Sequence, residues 1–80
     1  VSAADDAIAI LGGTGDQGLG LALRFAAAGR AVVIGSRREE KAQRAAKEVQ
    51  EAVPGAPVSG FENAEATRRA RVVILSVPFE

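Results

Sequence analysis

The stretch ILGGTGDQG, residues 10–18, is where one apolar pattern ends and another begins. Before it, Ala7 to Leu11 is a short apolar run bounded by Asp5-Asp6 and by glycines, which by length and punctuation predicts a buried strand. After it the period lengthens. Leu19, Ala22, Leu23, Ala26 and Ala27 recur at helical spacing from Gln17 onward, and Gly29 supplies the stop. Strand, glycine turn and helix form the context in which G-x-G-x-x-G binds a dinucleotide, here with Gly13, Gly15 and Gly18. Gly13 allows the tight turn, Gly15 lets the backbone approach a pyrophosphate, and Gly18 lets helix and strand pack closely. Backbone N–H groups at the helix N-terminus then meet the phosphates. Asp16 argues mildly against this reading, because a carboxylate beside a pyrophosphate is repulsive; it is tolerated where the side chain points to solvent. The same loop also fits G-x-x-G-x-x-G through Gly12, Gly15 and Gly18. Chains of that pattern usually carry an acid after the third strand that contacts adenine, and here VSGFENA offers only Glu62.

Working outward, Ala31 to Ile34 is a second apolar run, β-branched and too short for a helix. Glu39 to Val53 predicts a helix with Ala42, Ala45, Ala46, Val49 and Val53 on one stripe and two acids in its first turn, where they suit the helix dipole. Pro54-Gly55-Ala56-Pro57 ends it. Val58 to Phe61 predicts a short strand, Asn63 the cap of a brief helix through Arg69, and Val72 to Val77 a fourth strand closed by Pro78. Strands that are apolar throughout are buried on both faces. Strict alternation with helices predicts an α/β Rossmann-type parallel sheet with flanking helices, in a βαβαβαβ order. A single NADP-binding domain over residues 1–80 is expected, as the N-terminal portion of a longer Rossmann domain, with the fourth strand an exposed edge.

Composition narrows the chemistry. The chain has 80 residues, 48% hydrophobic and 25% charged, and a formal net charge of zero, so bulk electrostatics suggests no nucleic-acid or membrane-surface partner. A chain this short buries only about 60% of the surface its unfolded form exposes. It contains neither Cys nor His, which removes disulfides, thiolate chemistry and Ser-His pairs, and no metal site is expected. No basic, apolar leader is recognisable, and no apolar run approaches the roughly 20 residues that span a bilayer. A cytoplasmic location is the expectation.

The second decisive stretch is VIGSRREEK, residues 33–41. In NAD-binding Rossmann domains an acid roughly 20 residues after the glycines holds the ribose 2′-hydroxyl. That place is taken here by Ser36, followed by Arg37 and Arg38. An acid would repel a 2′-phosphate, whereas a hydroxyl and a guanidinium bind one, and Lys41 adds a point charge one turn into the helix. A plain solvated helix start is the alternative, but basic groups in a first turn oppose the dipole. The pattern favours NADP over NAD.

With both motifs in hand, the chain closely resembles the N-terminal half of the F(420)-dependent NADP reductases, the 8-hydroxy-5-deazaflavin:NADPH oxidoreductases. The resemblance is carried by ILGGTGDQGLGLALRFAAAG, VIGSRREEKA and the strand ending ILSVPFE, and runs from about Ala7 to Glu80. It implies that Thr14, Ser36, Arg37 and Lys41 surround the adenosine 2′-phosphate. It further implies that Gly15, Asp16 and Gln17 present backbone N–H groups to the pyrophosphate, and that Phe79 lines the cofactor. A loop residue packing on a following helix is the alternative for Phe79. The implied activity is reversible hydride transfer between NADPH and coenzyme F(420), held face to face, with no side chain needed as acid or base. Proximity and orientation then supply much of the rate. The family's further helical segment, which completes the deazaflavin pocket and a homodimer interface, has no counterpart in these residues.

Two other readings remain at the level of sequence. One is the NADPH domain of a transmembrane ferric reductase, whose soluble domains share a GSR strand end. The other is a non-catalytic module that senses NADP. Pyrroline carboxylate and imine reductases share the fold and the cofactor pattern, and residues that choose the second substrate lie beyond this chain.

Overall fold

The structure is a computed structural model in which residues 6–12 and 15–76 are described. Seven elements alternate along them: β1 (Ile8–Leu11), α1 (Asp16–Ala27), β2 (Val32–Ser36), α2 (Glu39–Ala52), β3 (Val58–Glu62), α3 (Asn63–Arg68) and β4 (Val72–Leu75). The four strands form one parallel sheet in the order β3-β2-β1-β4. The chain steps outward twice, from β1 to β2 to β3, and then crosses back to the far side of β1. The strand order thus reverses at β1, which makes the carboxyl end of this strand the topological switch point where such sheets bind ligands. The parallel sheet with flanking helices predicted from the alternation is the one observed.

Two cores lie on the two faces of the sheet. Ile8, Ile10, Val32, Ile34 and Val58 meet Ala22 and Ala26 of α1 and Ala42, Ala45, Ala46 and Val49 of α2 on one face. Ala7, Ala9 and Val33 meet Ala66 of α3 on the other. The alanines let the helices sit close to the strands, and Gly60 carries this furthest. A Cβ there would run into the backbone carbonyl of Ala42, so α2 rests directly on β3.

Three details differ from the sequence reading. The buried stripe of α1 is Gly18, Ala22 and Ala26, flanked by partly buried Leu19, Leu21 and Phe25, while Leu23 and Ala27 face solvent. Both stripes have helical spacing; the one opposite β1 and β2 is selected by its small residues. The helix α3 is capped by Glu62, not Asn63. Glu62 is extended and its Oε1 accepts from the Ala64 N–H at 3.1 Å, whereas Asn63 is already the first residue of the helix. Finally β4 is apolar throughout but not buried: Val72, Val73 and Leu75 are 49%, 42% and 68% exposed, because no strand pairs with its outer side among the described residues.

Candidate functional site

The carboxyl ends of the strands open into a crevice of about 890 Å³ lined by Leu11, Gly12, Gly15, Ser36, Arg37, Arg38, Lys41, Asn63, Leu75 and Ser76. Residues from all four strand ends therefore converge on one space. On the β1 side the chain leaves the strand through Gly12, whose φ of +76° is in the left-handed region that favours glycine. The Gly12 N–H donates to Gly35 O at 3.0 Å, and a Cβ on Gly12 would collide with the carbonyl oxygen of Ser76. The sharp exit from β1 and the close approach of β4 thus both require this glycine.

Gly15 is the N-cap of α1 and accepts from the Leu19 N–H at 2.9 Å, while its own N–H makes only a long 3.4 Å bond to Gly12 O. The Asp16 and Gln17 N–H groups follow in the first turn, whose donors have no acceptors within the helix. No side chain among the described residues caps this end. The Asp16 and Gln17 side chains do not line the crevice. With Gly20, Leu21 and Arg24 they line a neighbouring recess of about 460 Å³, which shares Leu75 and Ser76 with it. Asp16 is exposed to solvent. Gly18 is buried on the sheet side of the helix, as helix–strand packing demands.

On the β2 side, Ser36 ends the strand and is nearly buried, at 8% exposure. Its Oγ accepts from the Arg38 N–H at 3.3 Å, which leaves the hydroxyl proton to be donated elsewhere. Arg37, Arg38 and Lys41 are exposed around it, and no carboxylate among the described residues pairs with any of them. Arg38 is the N-cap of α2 and accepts through its carbonyl from the Lys41 and Ala42 N–H groups, which sets Lys41 in the first turn facing the crevice. Across the sheet Ser36 is paired in register with Glu62 of β3, whose carboxylate is engaged in capping α3.

Of the expected site residues, Gly15, Ser36, Arg37 and Lys41 meet in the crevice, Asp16 and Gln17 line the neighbouring recess, and Gly18 is buried in the first turn of α1. Gly13, Thr14 and Phe79 fall outside the described residues. The sequence reading did not place Asn63 or Ser76 here. For Asn63 the signal was its position one residue beyond β3, in a sheet where β3 neighbours β2. Among the described residues no group of three or more carboxylates, His or Cys could hold a metal ion, and no helix is long and apolar enough to cross a membrane.

The chain is similar over most of its length to known proteins. The chain is 57% identical over 75 residues to an F(420)-dependent NADP reductase of Methanothermobacter marburgensis and 55% identical over 75 residues to that of Methanothermobacter thermautotrophicus. It is 52% identical over 77 residues to the F(420)-dependent NADP reductase of Methanocaldococcus jannaschii. Each comparison covers 91% of this chain but only 34%, 32% and 34% of the respective relative, so the chain spans about a third of the length of the proteins it matches. The family model described as NADP oxidoreductase, coenzyme F(420)-dependent, matches residues 7–80. With its switch-point crevice, and with this match running from the start of β1 through the end of the chain, the protein belongs to the coenzyme F(420)-dependent NADP oxidoreductase family.

Proposed function

We propose that this chain is the NADP(H)-binding part of an oxidoreductase that passes a hydride reversibly between NADPH and coenzyme F(420). The observation that carries the reading is the set at the end of β2: a nearly buried hydroxyl between cations that have no ion-pair partner among the described residues, in the same crevice as the glycine turn of β1. Ser36 donates its hydroxyl proton to a 2′-phosphate oxygen, Arg37 grips the phosphate through its planar fork, and Lys41 adds charge. Gly15, Asp16 and Gln17 offer backbone N–H groups and the positive end of α1 to the pyrophosphate. Thr14 and Phe79 are assigned to the phosphate and to the cofactor's flank on the family resemblance, and Gly13 to the turn. The bound nicotinamide supplies the hydride chemistry; these residues bind and orient it. The names of the three relatives support F(420) as the other reactant. A cytoplasmic setting, small-molecule partners and pairing of two copies through a further segment go with this reading.

A chimaera tests it. These 80 residues replace the matching portion of the Methanothermobacter marburgensis relative, and NADP+ reduction by reduced F(420) is followed spectroscopically. The expected result is turnover with NADP+ and little with NAD+. A folded chimaera that oxidises reduced F(420) with neither nucleotide contradicts the proposal.

A further inference from the structure

Asn63 carries a buried polar atom that the fold leaves unused. Its Oδ1 is shielded from solvent and has no hydrogen-bond partner among the described residues. The oxygen lies against Gly35, 2.9 Å from where a Cβ on that residue would stand, so the absence of a side chain at Gly35 makes room for it. A desolvated acceptor without a donor is costly, and native folds keep few of them. The helix does not need this side chain either, because Glu62 does the capping. Yet Asn63 borders the crevice beside Ser36, Arg37 and Lys41.

The sheet order says which part of the ligand reaches it. If the pyrophosphate lies at the end of β1 and the 2′-phosphate at the end of β2, the base lies beyond β2, since it is bonded to the ribose carbon next to the one bearing that phosphate. Beyond β2 lies β3, and Asn63 is the residue that follows it. Resting on the NADP(H) reading of the crevice, we propose that Asn63 reads the adenine base: its Oδ1 accepts a hydrogen bond from the 6-amino group. Turning the carboxamide from Gly35 toward the crevice needs rotation chiefly about χ2, a broad and soft torsion. An amide suits this task because it offers an acceptor without the charge that would repel the neighbouring 2′-phosphate.

The test compares NADP+ with its deaminated analogue, in which a 6-oxo purine replaces adenine, by calorimetry on the whole chain. The wild type should bind NADP+ about tenfold more tightly than the analogue. Asn63→Ala should bring that ratio close to one and leave the preference for NADP+ over NAD+ in place. Asn63→Asp keeps an acceptor oxygen, so it should weaken both nucleotides and retain the ratio. A wild-type ratio near one, or a ratio that survives in Asn63→Ala, overturns the assignment while the cofactor reading stands. Should Asn63→Ala fail to fold, a ratio lost in Asn63→Asp overturns it equally. A wild type that binds neither NADP+ nor NAD+ sinks the cofactor reading and this one with it.

Discussion

Ser36 and Gly12 show what single residues contribute at the site. Ser36 is held by its backbone at the end of β2, and the Arg38 N–H fixes its hydroxyl from behind. Among the described residues Arg37 has no such anchor and no competing carboxylate, so its guanidinium is available to a ligand. A charge-assisted hydrogen bond contributes about 1.5–3 kcal/mol, and Arg37→Ala should therefore weaken NADP+ binding roughly 10- to 100-fold and leave NAD+ binding unchanged. Gly12→Ala acts on the fold instead. It forces a side chain into the left-handed region and against the Ser76 carbonyl, and a loss of about 1–3 kcal/mol is expected in denaturant unfolding. Both residues stand in recognisable sequence motifs. Asn63 was legible only as a cap, because Glu62 and Asn63 can each accept from a helix N-terminus. What decides between them is the empty space above Gly35, a contact between residues far apart in the chain.

Among the elements, the most exacting contact is α2 on β3. With the Ala42 carbonyl where a Cβ of residue 60 would stand, Gly60→Ala must push the helix off the strand. We expect it to destabilise the chain by about 1–3 kcal/mol in chemical denaturation, and to weaken NADP+ binding because α2 carries Lys41. The stripe of α2 was readable from its period; that of α1 was not, since two helical faces were apolar and only the sheet beneath chooses between them. The short α3 packs on the sheet through Ala66 and carries an ion network on its surface. Glu65 pairs with Arg68 at 3.0 Å and with Arg69 at 2.6 Å, and Arg69 lies 4.2 Å over the Phe61 ring. Hydrogen bonds from Arg68 and then Arg69 hold the Glu65 carboxyl below its ordinary value of 4.5. A carboxyl lowered by folding contributes stability above its unfolded value and loses it as pH falls through the folded one. The α3 signals in NMR should therefore loosen on acidification below that range, and Glu65→Gln should remove this part of the acid sensitivity.

Across the described residues, the sheet has a core on each face and, at β4, an edge strand whose apolar side chains are exposed. The parallel architecture followed from apolar runs alternating with helical stripes, and the order β3-β2-β1-β4 places every expected site residue that the structure describes at one end of it. The exposure of β4 was not legible in its apolar run, because such a run looks the same whether or not another strand and helix cover it. Val72, Val73 and Leu75 now face solvent on a chain of zero net charge, which offers little repulsion between copies. Val73→Lys should lower self-association at high protein concentration in sedimentation experiments and leave the far-ultraviolet circular dichroism unchanged.

The cofactor assignment at the end of β2 is tested most directly by calorimetric titration of the folded chain with NADP+ and NAD+ side by side, before and after Arg37→Ala. Tighter binding of NADP+, with the difference lost in the variant, is the predicted result. Equal binding of the two nucleotides by the wild type would contradict the assignment of Ser36, Arg37 and Lys41 to the 2′-phosphate.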